Sequence, residues 1–85
     1  MTEKKIVIQL PHGLHARPAA QFVQKASSFA SEINLQKGAK TVNAKSIMGV
    51  MSLAAANGEE VTLTADGSDE KEAIEALTAL LISGE

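Results

Sequence analysis

The chain has 85 residues, 45% of them hydrophobic and 21% charged, with a formal net charge of −2. That length makes one domain, 1–85, which removes roughly two thirds of its unfolded surface from water. The mild negative balance gives no electrostatic basis for nucleic-acid binding, and Phe22 and Phe29, the only aromatics, make no stacking platform. There is no cysteine, so disulfides and thiolate metal sites are excluded. No run approaches the roughly 20 apolar residues of a membrane span, and the charged Met1–Lys5 start lacks the apolar core of a signal peptide. A cytoplasmic location with no membrane insertion is therefore expected.

Ile6-Val7-Ile8-Gln9-Leu10 reads as a first strand, with Ile6, Ile8 and Leu10 on one face. Pro11-His12-Gly13 breaks it. From Ala16 the period becomes helical: Ala19, Phe22, Val23 and Ala26 form one stripe, and the helix frays around Ser27-Ser28. Glu32–Gln36 alternates as a second strand. Lys37-Gly38-Ala39-Lys40 is a turn, and Thr41–Asn43 returns antiparallel as a third strand.

Ser46 is a favoured N-cap for a short helix that takes in the apolar run Ile47–Leu53, is weakened by Gly49 and ends before Asn57-Gly58. Val61, Leu63 and Ala65 alternate with Thr62 and Thr64 in a fourth strand. Asp66-Gly67 turns the chain. Asp69 with Glu72 has the spacing of a capping box, and Ala73, Ile74, Leu77, Leu80 and Leu81 stripe a final helix that Ser83-Gly84 stops. The order β-α-β-β-α-β-α predicts an α+β fold of two layers, with helices over one face of a mostly antiparallel sheet.

The chemistry-bearing stretch is Gly13-Leu14-His15-Ala16-Arg17-Pro18. It sets a histidine directly before a helix start, where proline's missing N–H costs nothing. Free N–H groups and the helix dipole attract anions there. A histidine so placed can accept, hold and release a phosphoryl group, with Arg17 neutralising the added charge. The alternative is a histidine that is only a polar cap. His12 and His15 are spaced i,i+3 but lie before the helix, with no carboxylate near in sequence, so no bound metal is expected.

This stretch and Asn43-Ala44-Lys45-Ser46-Ile47-Met48-Gly49-Val50-Met51-Ser52-Leu53 together resemble the HPr family, the histidine-containing phosphocarriers of the bacterial phosphotransferase system, along essentially the whole chain. The resemblance implies an open-faced β-sandwich, a four-stranded antiparallel sheet covered on one face by three helices. It implies that His15 takes a phosphoryl group on Nδ1 from phosphorylated enzyme I and passes it to a sugar-specific enzyme IIA domain. Such a protein is a phosphoryl-group carrier rather than a free-standing enzyme. Imidazole, with a reference pKa of about 6.5, is a competent nucleophile near neutral pH. The transfer is chiefly positioning and charge stabilisation, with Arg17 and the backbone N–H groups near Ala16 and Arg17 as donors. No cofactor is implied.

By the same resemblance Ser46 is a regulatory serine phosphorylated by HPr kinase/phosphorylase, and Ile47, Met48 and Met51 form a docking patch, while Val50 and Leu53 face the core. The plainer alternatives are an unmodified cap for Ser46 and core packing for the apolar run. His12 departs from the small polar residue usual in the family and is either a bystander or a second cation beside the phosphoryl group. Parts of the chain, such as Phe22-Val23-Gln24 and Asn43–Ser46, also resemble the regulatory paralogue Crh, which lacks the active histidine. A Crh-like role in carbon catabolite repression, docking through phosphorylated Ser46 on a regulator such as catabolite control protein, is thus the second reading.

Overall fold

Alternating burial builds the sheet. The computed structural model describes residues 1–10, 13, 16–53 and 55–83, apart from the side chains of Ala16 and Ser83. Strands β1 (Thr2–Val7), β2 (Glu32–Lys37), β3 (Lys40–Asn43) and β4 (Glu60–Asp66) form one sheet in the order β1-β4-β2-β3. Every pairing is antiparallel, with Thr2 opposite Ala65, Ile33 opposite Ala65 and Leu35 opposite Val42. Ile6, Ile33, Leu35, Val61, Leu63 and Ala65 are buried on one face, while the intervening Asn34, Thr62 and Thr64 remain partly open on the other.

Helices α1 (Ala16–Ser27), α2 (Ile47–Ser52) and α3 (Glu70–Ser83) complete the order β-α-β-β-α-β-α. Ala19, Phe22 and Ala26 of α1 are fully buried, with Val23 packed against the core. Ala73, Ile74, Leu77, Leu80 and Leu81 of α3 are buried as their spacing predicts. Burying a side chain such as Phe22 or Leu77 contributes about 1.5–3 kcal/mol. Helix α1 packs against both α2 and α3, and α3 lies over β1 and β4. The four-stranded sheet with three helices is the open-faced sandwich expected from the sequence.

Three expectations need correction. The first strand runs Thr2–Val7 rather than Ile6–Leu10. Thr2–Lys5 are polar, but β1 is an edge strand on which Glu3, Lys4 and Lys5 remain exposed, and pairing to β4 begins at Thr2. Beyond Val7 the backbone finds other partners: the Ile8 N–H donates to Glu59 O at 2.9 Å and the Gln9 N–H to Leu81 O at 2.9 Å. The second correction is at the hairpin. Lys37 and Lys40 pair with each other, leaving a two-residue loop in which Gly38 takes φ +59.

The third concerns Asp69. Its carboxylate makes no local box with Glu72 but reaches across the molecule, accepting from the Ala30 N–H at 2.8 Å, the Ser31 N–H at 2.9 Å and the Ser31 hydroxyl. The reach-back bond at this helix start comes from Glu70, whose Oε1 accepts from the Gly67 N–H at 3.2 Å. The other Glu70 oxygen accepts from the Thr2 hydroxyl, fastening the first strand to the last helix.

Candidate functional site

The chain enters α1 through Gly13. This residue is buried, has φ +70, and donates its N–H to Leu10 O at 2.9 Å. A Cβ here would stand 2.5 Å from Ala55 O and 2.8 Å from the Ala56 Cα. Both the dihedral and the contact therefore require glycine. His12 and His15 lie outside the described residues. Ala16 is the first residue of α1, and Arg17, on its first turn, is exposed. That turn contains no acidic residue, so nothing there opposes an anion at the helix start.

The backbone that meets Gly13 belongs to a turn secured at several points. The Glu59 N–H donates to Ala56 O at 3.0 Å, and the Gly58 N–H donates to Ile8 O at 2.8 Å. The Glu59 carboxylate curls back, with Oε1 accepting from the Ala56 N–H at 2.7 Å. The Lys37 ammonium is 3.0 Å from the same oxygen and also donates to Leu53 O at 3.2 Å. The Ala56 N–H first, and Lys37 second, hold the Glu59 carboxyl below its ordinary pKa.

Ser46 stands at the start of α2 with extended backbone, φ −109 and ψ 115, and its Oγ accepts from the Gly49 N–H at 3.2 Å. This is the N-cap read from the sequence. The approach to it is fixed by Asn43, whose Oδ1 accepts from the Lys45 N–H at 2.8 Å. The Lys45 ammonium donates to Phe29 O at 2.8 Å, just past the end of α1. At the other end of α2, Lys40 donates to Ser52 O at 3.1 Å and Lys37 to Leu53 O, cations where the helix dipole favours them. Gly49 fits closely: a Cβ there would be 3.3 Å from the Val42 Cβ.

Ile47, Met48 and Met51 are 37%, 77% and 42% exposed, whereas Val50 and Leu53 are buried. One short helix thus presents an apolar outer face and a separate inner one. Helix α1 packs on α2, so the Arg17-bearing helix and the Ser46-bearing helix are neighbours in the same layer.

Residues 2–83 match the PTS-HPr family, described as "PTS HPr component phosphorylation site". This chain belongs to the HPr family. It is 56% identical over 81 residues to the HPr-like protein Crh of Halalkalibacterium halodurans, covering 95% of this chain and 96% of that one. It is 47% identical over 81 residues to the phosphocarrier protein HPr of Buchnera aphidicola, covering 95% of each. The crystal structure of HPr-C-His from Thermoanaerobacter tengcongensis matches with a TM-score of 0.94 and 56% identity, over 100% of this chain and 98% of that one. A crystal structure of Bacillus subtilis Crh, which shows a swapped domain in an intertwined dimer, matches with a TM-score of 0.76 and 56% identity, over 95% and 93% of the two chains. The HPr/Crh family comprises phosphocarrier proteins of the phosphotransferase system.

The residues that sequence reading overlooked in this HPr-like site are Glu59, Lys37, Lys40 and Lys45. The sequence reading gave none of them a bonding role. Their partners are backbone groups distant in the chain or in a turn, and no spacing pattern marks such contacts. Among the described residues no helix is long and apolar enough to cross a membrane.

Proposed function

We propose that this HPr-family protein carries a phosphoryl group on His15. The observation that carries the reading is His15-Ala16-Arg17-Pro18 set at the start of α1 in a chain whose family match is a phosphorylation-site family. In the forward step the neutral imidazole Nδ1 attacks phosphorus as its bond to enzyme I breaks, and a P–N bond forms on His15. In the onward step an enzyme IIA domain supplies the nucleophile, and His15 returns to the neutral ring. The exposed Arg17 fork and the backbone N–H groups of Ala16 and Arg17 are the donors for the phosphoryl oxygens in this reading. Ile47, Met48 and Met51 serve as the apolar docking patch, and methionine's flexibility suits a surface that meets several partners.

Ser46 is the regulatory site in this reading. Its hydroxyl is exposed at the start of α2 beside the patch, within reach of HPr kinase/phosphorylase. Phosphate there adds about −1.5 to −2 charge to the docking surface.

A second reading is supported by the 56% identity to the Halalkalibacterium Crh, a value equal to that for the Thermoanaerobacter HPr and above the 47% for the Buchnera HPr. In it the main role is catabolite repression, with phosphorylated Ser46 docking on a regulator such as catabolite control protein. His15 itself argues for the carrier, since Crh lacks the active histidine.

Incubation with phosphoenolpyruvate and enzyme I, followed by intact-mass measurement, separates the two. One added acid-labile phosphoryl group that is absent in His15→Ala supports the carrier. No addition to the wild type rejects it.

A further inference from the structure

We propose that Glu59 is a positioning residue for phosphoryl transfer, acting through the Ala55-Ala56 backbone on which Gly13 rests. The proposal rests on His15 being the acceptor. Gly13 stands two residues before His15. A Cβ on Gly13 would overlap the Ala55 carbonyl oxygen and the Ala56 Cα, so the Gly13 backbone lies directly against that turn.

Most of the bonds that secure this turn are main-chain bonds. Glu59 N–H to Ala56 O, Gly58 N–H to Ile8 O and Ile8 N–H to Glu59 O would form with other residues at position 59. The remaining bond, from the Ala56 N–H to Glu59 Oε1 at 2.7 Å, needs an acceptor on the side chain. It holds the very residue whose Cα faces Gly13.

Lys37 fixes the direction of that side chain. Its ammonium is 3.0 Å from Oε1 and 3.2 Å from Leu53 O, so the carboxylate is drawn toward the end of α2 while it grips Ala56. The two side chains are 29% and 39% exposed, and an ion pair so open to water adds little to stability. Its effect is geometric. Small displacements in a group-transfer site are costly, since about 1 Å of misplacement can lower a rate by about 10²-fold.

The test measures enzyme I-dependent phosphorylation of the whole protein, with the Gly13 amide signal followed by NMR. Glu59→Ala should lower kcat roughly tenfold with KM changed less than about twofold, and should move the Gly13 amide signal. Glu59→Gln keeps an oxygen acceptor for the Ala56 N–H and should restore most of both. An unchanged kcat in Glu59→Ala overturns the proposal. So does a loss no larger than the fraction of protein unfolded, or a glutamine variant no better than alanine. Failure of the wild type to be phosphorylated would instead reject His15 as acceptor, and the Gly13 signal in the variants would still decide whether Glu59 sets the loop.

Discussion

Asp69 and Ser31, 38 residues apart in the chain, are joined twice: one carboxylate oxygen accepts from both the Ser31 N–H, at 2.9 Å, and the Ser31 hydroxyl. The other oxygen takes the Ala30 N–H at 2.8 Å. The contact ties the start of α3 to the chain entering β2, and it leaves room only for hydrogen at Gly67, where a Cβ would meet Ser31 at 2.6 Å.

This clasp makes stability depend on acid. The Ser31 hydroxyl first, then the Ala30 N–H, hold the Asp69 carboxyl below its ordinary pKa. The Thr2 hydroxyl first, then the Gly67 N–H, do the same for Glu70. A depressed folded-state pKa contributes stability that is present above the unfolded value, about 4 for these side chains, and is lost as pH falls through the folded value. Urea midpoints should therefore be level above about pH 5 and fall below about pH 4. Asp69→Asn should lower the midpoint at neutral pH and flatten the acid slope. A slope equal to that of the wild type would show that Asp69 is not among its sources.

Gly13 and Gly38 both have positive φ, +70 and +59, but only Gly13 has backbone pressed against it; nothing lies within 4 Å of a Cβ on Gly38. Gly38→Ala should cost about 1 kcal/mol, the left-handed dihedral alone. Gly13→Ala adds overlap with Ala55 O and should cost more than about 2 kcal/mol. Denaturant titration of the two variants checks the difference, and equal losses would contradict the close approach.

The stripe Ala19, Phe22, Ala26 and the stripe Ala73 to Leu81 were legible because the helical period is a local signal that burial alone produces. The Ser46 cap was legible for the same reason, its bond spanning three residues. The start of β1 was not, because Thr2–Lys5 carry no apolar alternation and their strand state comes from pairing with β4. Asp69 misled because the capping-box spacing is local while its partners are Ala30 and Ser31. At the site, the motif residues were visible as residue types, but the Glu59–Ala56 grip and the demand for glycine at position 13 exist only where distant segments meet.

Arg17 is exposed on the first turn of α1, so its substitution should leave the fold alone. Arg17→Lys keeps the charge but loses the planar fork, and Arg17→Ala loses both. Phosphorylation of His15 by enzyme I should fall in the order wild type, lysine, alanine, with denaturation midpoints within about 0.5 kcal/mol of wild type. Equal rates in all three would remove Arg17 from the site.

On α2 the inner and outer faces should separate stability from docking. Val50→Ala deletes buried carbon and should cost about 2 kcal/mol. Met48→Ala touches a side chain 77% exposed and should change stability by less than about 0.5 kcal/mol. Met48→Ala should nevertheless raise KM for enzyme I. A Met48 variant with unaltered KM for enzyme I and for an enzyme IIA domain would place the docking surface elsewhere.

Ser46 joins the cap to regulation. Ser46→Ala removes the acceptor for the Gly49 N–H and should cost about 1 kcal/mol, whereas Ser46→Asp keeps a cap and should stay close to wild type. Rates should not follow that order. Alanine adds no charge and should be phosphorylated on His15 nearly as fast as the wild type. Aspartate puts a negative charge beside Ile47 and Met48 and should slow the reaction, and kinase-treated protein should be slower still because a phosphate carries more charge than a carboxylate. Repulsion between exposed charges is screened by salt, so the deficit should narrow as ionic strength rises. The measurement is the rate of His15 phosphorylation for the four forms at low and high salt. Equal rates for wild-type and kinase-treated protein would leave Ser46 as a cap or as a signal read by a different partner. A deficit that salt does not relieve would point to a changed α2 rather than to charge.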